Sequence, residues 1–370
     1  MNKYLILSIP IIVIVFILST PYKHTAMTLF QVLYYHDSSH QDNKLFPSVF
    51  MDGNPNLPPI EKNLINFDKT KYDFTKYTVE AIMVLHKNKI VLEEYYNNNT
   101  INTHFNLFSA TKSIVSLGVG ILQDRNLLSI NDKIKKYLPF PPLKDQTTIK
   151  DILEMSSGYG EPLFLPTMFD MGLDYFAYNL TERLIKYKVS YNPGEYYIYK
   201  NLNTQILGLL IEKISGQKLN EFIYENIYKY IGKEKAEWST DRVGNIKAFC
   251  CLFITTEDFL RFGKLINDKG KFGDKSIISE DYLNQMFTPN NKIVVKDTGR
   301  INDFYGLQAW TTKTQDGHKI KYFSGLKAQF NVIIEDLDLV ISYFSNSKNE
   351  KDNDKNMANI VEDVRTIISS

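Results

Sequence analysis

Pro193-Gly194-Glu195-Tyr196-Tyr197-Ile198-Tyr199-Lys200-Asn201 runs directly into Leu202-Asn203-Thr204-Gln205-Ile206-Leu207-Gly208 and on to Ile211-Glu212-Lys213-Ile214-Ser215-Gly216. Pro-Gly marks a turn, and an aromatic-rich segment follows it. From Thr204 to Ile214 the apolar residues recur at helical spacing, and Ser215-Gly216 supplies the stop. Tyr199 and Asn201 therefore stand just ahead of a helix.

Working outward, Phe108-Ser109-Ala110-Thr111-Lys112-Ser113 contains Ser-x-x-Lys. If Ser109 opens a helix, Lys112 lies one turn on and on the same face, within reach of the hydroxyl. The helix N-terminus adds backbone N–H groups and a positive dipole end, both favourable to a developing anion. A serine hydroxyl is a weak nucleophile until a base takes its proton, and a desolvated neutral lysine can do so. The same spacing occurs at Ser215/Lys218, Ser324/Lys327 and Ser345/Lys348. Only the Ser109 copy immediately precedes an apolar helix, with Ile114, Val115, Leu117, Val119, Ile121 and Leu122 on its inner side. A serine at such a place is also an ordinary helix cap, so the pattern needs a partner motif.

That partner is the Tyr199-Lys200-Asn201 segment. Together the two motifs, with Thr148-Ile149-Lys150-Asp151-Ile152-Leu153-Glu154-Met155-Ser156-Ser157-Gly158 and Ala248-Phe249-Cys250-Cys251, resemble the class C β-lactamase-like serine hydrolases. That family also holds D-alanyl-D-alanine carboxypeptidases, esterases and 6-aminohexanoate-dimer hydrolases, the last branch being the nearest in pattern. The resemblance covers roughly residues 76–370. It implies Ser109 as nucleophile, Lys112 beside it, Tyr199 as a phenol shuttling protons, and Asn201 bonded to Lys112 or to a substrate amide. The family's third motif, Lys-Thr-Gly, falls on Phe323-Ser324-Gly325, with Ser324 and Gly325 in the last two places. The N–H of Leu326 would complete an oxyanion hole with that of Ser109. Phe323 replaces the lysine that holds a substrate carboxylate in the family. It is expected to form an apolar wall, with Lys327 a solvated or rim charge, the alternative being that Lys327 takes the missing lysine's place. The expected substrates are small esters, amides or peptides. The alternatives are a cell-wall D-Ala-D-Ala carboxypeptidase or β-lactamase, and a catalytically silent penicillin-binding-like module.

Composition sets limits on other functions. Lys and Arg number 43 against 42 Asp and Glu, a formal net charge of +1, and no basic stripe with interleaved aromatics appears, so nucleic acid is not an expected partner. The six histidines show no metal-ligand spacing, and neither a metal nor another cofactor is expected. No Gly-x-Ser-x-Gly elbow supports a Ser-His-Asp hydrolase. Cys250 and Cys251 are adjacent. Neighbouring cysteines bridge each other only with strain, which predicts two small buried thiols.

The chain begins with an apolar run, Tyr4 to Thr20, after Lys3. A helix rises about 1.5 Å per residue, so this run just crosses a bilayer core, and no small-x-small cleavage site follows it. An N-terminal membrane helix over residues 1–20 is expected, with the catalytic domain outside the cytoplasm, or secreted if the segment is cleaved. Residues 21–75 read as a polar, proline-punctuated arm, with Met27 to Tyr35 a packing or membrane-lying stretch. Residues 76–370 read as the hydrolase domain. A hairpin about Lys87-Asn88-Lys89 opens it, and a mainly helical region spans about 127–262. Strands are expected at Leu307–Thr311, Lys319–Ser324, Phe330–Ile334 and Leu339–Phe344, before an amphipathic C-terminal helix. The fold class is thus α+β, with one antiparallel sheet completed by both ends of the domain and flanked by helices.

Overall fold

The computed structural model describes residues 42–160 and 167–370, together with residue 28. The Tyr4–Thr20 run lies outside the described residues, among which no helix is long and apolar enough to cross a membrane. Of the Met27–Tyr35 stretch only Thr28 is described; it is buried, and its hydroxyl accepts the Tyr178 N–H at 3.2 Å.

The strands, in chain order, begin with β1 (Ser48–Met51), β2 (Val79–His86), β3 (Lys89–Tyr95), β4 (Phe105–Asn106), β5 (Tyr196–Tyr197), β6 (Ala236–Ser239) and β7 (Leu252–Ile254). They continue with β8 (Lys271–Phe272), β9 (Lys275–Ser276), β10 (Val294–Val295), β11 (Trp310–Lys313), β12 (Lys319–Gly325), β13 (Gln329–Ile334) and β14 (Leu339–Ser345). The main sheet is antiparallel, in the order β11-β12-β13-β14-β2-β3, so the early hairpin is completed by strands from the far end of the domain, as expected. The β2–β3 turn places Lys87 and Asn88 at φ 49° and 63°, the pairing of left-handed residues that matches a tight hairpin to strand twist.

Alternation, interrupted by bulges at Val84/Leu85 and Phe344/Ser345, gives the sheet two apolar faces. Ala81, Met83, Leu85, Phe323, Ile333, Val340 and Phe344 look inward, to the helices Thr111–Asp124 and Thr256–Asn267. Ile82, Val84, Tyr322, Val332, Ile334 and Ile341 look outward and are covered by Met357, Ile360, Val361, Val364 and Ile367 of the C-terminal helix Asn353–Ser369. Gly263 lets the Thr256–Asn267 helix lie flat on the sheet, since a Cβ there would meet Asn331 Oδ1 at 2.3 Å.

Two expectations needed correction here. The domain has more than one antiparallel sheet: within the mainly helical region 127–262, β6 and β7 join β1 and β4 in a second, four-stranded sheet ordered β1-β6-β7-β4. The proline-punctuated arm thus supplies a strand, with Ser48 opposite Ser239 and Met51 opposite Ala236. The strand expected at Leu307–Thr311 starts only at Trp310, because Gln308 sits at φ 60° and Ser116 and Ser113 donate to the Leu307 and Gln308 carbonyls at 2.8 and 2.6 Å.

Candidate active site

Ser109 is placed by the small sheet. β4 pairs with β7, and the next residue, Leu107, donates its N–H to the Leu252 carbonyl at 2.9 Å. Phe108 then takes a left-handed φ of 45°, unusual for a bulky residue, while its N–H is held by Asn106 Oδ1 at 2.9 Å. A short 3₁₀ turn, Phe108–Ala110, follows and feeds the Thr111–Asp124 helix. Ser109 is left partly exposed between buried neighbours, at a helix N-terminus as the sequence predicts.

Lys112 is buried, at 1% exposure. Its Nζ lies 3.0 Å from Ser109 Oγ, 2.9 Å from Asn201 Oδ1 and 2.8 Å from the Phe249 carbonyl oxygen. The rings of Tyr199 and Phe249 flank it, with centroids 5.0 and 5.6 Å away. Burial disfavours the ammonium and pulls the amine down to about 7, although the Asp174 carboxylate pushes the other way. From an ordinary 10.5 that displacement is worth roughly 5 kcal/mol, so desolvation outweighs the nearby charge. Asp174 is itself buried and accepts from the Arg183 guanidinium, which divides its influence.

Tyr199 reaches the same place from the other side. Gly194, at φ 76°, donates to the Ser156 carbonyl at 2.8 Å, and the Ile198 N–H donates to the Met155 carbonyl at 2.9 Å. The phenol is within hydrogen-bonding range of Ser109, which eases its ionisation slightly, but burial raises its pKa far more. Its ring lies 6.1 Å from Tyr305 and 6.2 Å from Trp310, so the phenol stands on an aromatic cluster.

The helix after Tyr199 runs from Asn201 to Ser215, capped by Gly216 at φ 71°. Its first turn is a row of polar side chains, each tied to a different element. Asn201 meets Lys112, Asn203 accepts from Ser157 at 2.6 Å, and Thr204 donates to Gln308 Oε1 at 2.6 Å. Gln205 donates to the Ile246 carbonyl at 2.9 Å and accepts from the Ala248 N–H at 3.1 Å. Thr204, Gln205, Gln308 and the Phe249 carbonyl were missed from sequence. An Asn-x-Asn-Thr-Gln run opening an otherwise apolar helix was the available signal.

The third segment closes the site. Gly325, the last residue of β12, stands against the chain entering Ser109: a Cβ on it would lie 2.2 Å from the Leu107 carbonyl oxygen. Ser324 and Leu326 are partly exposed on either side. Phe323 is not a wall of the cleft. It points inward from the sheet, is fully buried and stacks on Phe287, with centroids 6.3 Å apart and planes 6° from parallel. Lys327 is not solvated either. It is 8% exposed, at φ 62°, and its charge acts on the Glu80 carboxyl.

A further correction concerns the cysteines. Cys250 and Cys251 are joined as a disulfide between neighbours. Cys251 takes a left-handed φ of 69°, outside the extended and helical conformations that turn successive side chains apart. Among the described residues no group of His, Cys, Asp and Glu could hold a metal ion.

The β-lactamase family model matches residues 78–364, more than three quarters of the chain. The chain belongs to the β-lactamase family. Among solved structures, this β-lactamase-family chain is similar to a Bacillus anthracis protein provisionally described as a 6-aminohexanoate-dimer hydrolase. That match has a TM-score of 0.80 at 20% identity, over 95% of this chain and 96% of the other. A Bacteroides dorei protein provisionally described as a β-lactamase superposes with a TM-score of 0.67 at 19% identity, over 82% of this chain and all (100%) of that one. A curated relative from Salmonella paratyphi B, provisionally described as a D-alanyl-D-alanine carboxypeptidase, is 29% identical over 144 residues. The match spans only 36% of this chain and about a third (33%) of the relative. These likenesses establish the β-lactamase/DD-peptidase-like fold, antiparallel sheets with helices about them.

Proposed function

We propose that the chain is a serine hydrolase that cleaves small ester or amide substrates through an acyl-enzyme on Ser109. The observation that carries this is the Lys112 amine, 3.0 Å from Ser109 Oγ in a dry setting that brings it down to about 7. A neutral Lys112 takes the Ser109 proton as Oγ attacks the substrate carbonyl. The N–H groups of Ser109 and Leu326, with Ser324 and Gly325 shaping the strand edge, face the oxyanion. Collapse expels the alcohol or amine, which leaves with a proton delivered by Tyr199. Water then attacks the acyl carbon, gives its proton back through Tyr199 and Lys112, and the acid departs. Asn201 holds Lys112 throughout.

The test is covalent labelling by a fluorophosphonate in the wild type and in Ser109→Ala. Label on Ser109, lost in the variant together with turnover, supports the proposal. Unlabelled wild type favours a penicillin-binding-like module that binds without reacting.

Uncharged substrates are favoured because Phe323, at the place of the family's lysine, carries no charge and is buried in the core, while Lys327 is itself largely buried and its charge acts on Glu80. The fold shared with a protein described as a 6-aminohexanoate-dimer hydrolase is in keeping with this reading. The curated relative favours the second reading, D-Ala-D-Ala carboxypeptidase activity. A hydrolysis panel of short acyl esters, linear amides, D-Ala-D-Ala peptides and a chromogenic cephalosporin separates the two. The Tyr4–Thr20 run would tether the domain to a membrane outside the cytoplasm. Recovery of native full-length protein in the soluble fraction would refute this.

A further inference from the structure

Two of the three partners of Lys112 are carbonyl oxygens, Asn201 Oδ1 at 2.9 Å and the Phe249 backbone at 2.8 Å; the third is Ser109 Oγ at 3.0 Å. A neutral amine has two N–H bonds and one lone pair. The carbonyls can only accept, so they take the two N–H bonds and leave the lone pair facing the Ser109 hydroxyl, the orientation a base needs. A backbone carbonyl, unlike a side chain, is aimed only by the conformation of its own stretch of chain. The residues that follow Phe249 are Cys250 and Cys251.

Their disulfide closes a small ring through the shared peptide and so removes rotations on both sides of it. The turn is pinned around that ring. The Cys250 carbonyl accepts the Trp238 indole N–H at 3.0 Å, and the Cys251 carbonyl accepts the Ser239 N–H at 3.0 Å. The next carbonyl, that of Leu252, holds Leu107, two residues before Ser109. Both cysteines are buried with Ala177, Leu180 and Phe253. Cys251 remains at φ 69°, a left-handed conformation unfavourable to an L-residue, which an open chain would tend to leave.

We infer that the Cys250–Cys251 disulfide is a positioning element for the base: it holds the Phe249 carbonyl against the Lys112 amine, and opening it slows acylation of Ser109. This rests on Lys112 serving as the base. Opening takes two electrons and two protons from a dithiol such as dithiothreitol, which leaves as its cyclic disulfide while the bond becomes two thiols. Cys251 then relaxes, the Phe249 carbonyl turns away and one N–H of Lys112 swings toward Ser109 in place of the lone pair.

The experiment measures the rate of Ser109 labelling by a fluorophosphonate from pH 5.5 to 9.5. It compares wild type, wild type treated with dithiothreitol, and the double variants Cys250→Ser/Cys251→Ser and Cys250→Ala/Cys251→Ala, with thiols counted in denatured, unreduced protein. The expected wild type has no free thiols. Both variants and the reduced wild type label about tenfold or more slower, and dithiothreitol has no further effect on the variants. Their acid limb moves upward, because a loosened turn admits water to an amine kept low by burial; Tyr199 and Asp174, the titratable groups that face it, are unaltered. Should the variants fail to fold, the reduced wild type decides. Free thiols in unreduced wild type, an unchanged rate on opening the bond, or a slower rate with the limb unmoved and only the melting temperature lowered would each overturn the inference. Wild type that never labels refutes the hydrolase proposal itself, whereas wild type that labels beside unaffected variants refutes the positioning role alone.

Discussion

Gly325 and Leu107 meet with no room between them: a Cβ on Gly325 would sit 2.2 Å from the Leu107 carbonyl oxygen. β12 and the chain entering Ser109 are therefore in direct backbone contact, and the strand edge is held at a fixed distance from the candidate nucleophile. Gly325→Ala must push the two apart by much of a methyl group. A misplacement of that size costs about a hundredfold when reacting groups are preoriented. We expect kcat/KM for a short ester to fall by about that factor, with the melting temperature lowered by several degrees but folding retained. Near-normal turnover would mean that β12 does not shape the oxyanion site.

The pH dependence of acylation should have a single limb near neutrality. Lys112, brought down to about 7 by burial, is protonated and useless as a base below that pH, so the rate should fall about tenfold per pH unit on the acid side. Burial raises the Tyr199 pKa, which keeps the phenol protonated and places no falling limb between pH 7 and 10. Lys112→Arg, whose guanidinium is not deprotonated, should lose several orders of magnitude at every pH. A limb near 10 in the wild type would rule out the neutral-lysine mechanism.

The same amine has a stability signature. The unfolded chain keeps the Lys112 proton up to about 10.5, whereas the folded protein releases it near 7. Between those values the unfolded state binds more protons, so raising the pH favours the folded state; below 7 both states are protonated and the burial penalty is at its largest. Lys112→Met removes this titration and leaves the others nearly unchanged. The melting temperature of wild type minus that of Lys112→Met should therefore rise from pH 6.5 to 9.5. A difference that stays flat across that range would show that the buried amine does not titrate there.

Substrate charge gives the sharpest comparison. Burying an unpaired carboxylate costs several kcal/mol, which corresponds to a hundredfold or more in rate. A short acyl ester should exceed a cephalosporin in kcat/KM by at least about that factor, and Lys327→Ala should leave the ratio within about threefold. Preference for the cephalosporin in wild type, lost in Lys327→Ala, would mean that Lys327 swings into the cleft and restores the missing charge.

Much of this molecule was legible because its signals are periodic or adjacent. The alternation through Phe330–Ile334 and Leu339–Phe344 and the Lys87-Asn88 turn gave the main sheet, and Ser-x-x-Lys with Tyr-x-Asn brought Ser109, Lys112, Tyr199 and Asn201 together as expected. The second sheet was not legible: β6 and β7 are four and three residues long, too short to express a period, and they pair with strands far away in sequence. Phe323 was misassigned because motif matching gives a position, while strand parity decides which face the side chain takes. The cysteine pair was misread because the usual argument assumes ordinary backbone angles, and Cys251 does not have them. Ala248-Phe249-Cys250-Cys251 contributed to the family resemblance, but a backbone carbonyl has no side-chain identity, so the bond from Lys112 to the Phe249 carbonyl was not legible in that motif.

β2 lies between β3 and β14 in the main sheet, with Leu85 opposite Val340 and Ile82 opposite Tyr343. Its second neighbour is thus some two hundred and fifty residues later in the chain, and so is the strand that faces Ser109. A ribosome building this protein completes the candidate nucleophile, base and phenol long before β12–β14 emerge. Until then β2 presents an open apolar edge, and loop closure over that distance must precede any gain from pairing. On the proposed mechanism, synthesis order therefore acts as a safety catch: every partly made chain lacks the strand edge proposed to face the oxyanion, and hydrolysis would wait until the last strands have docked.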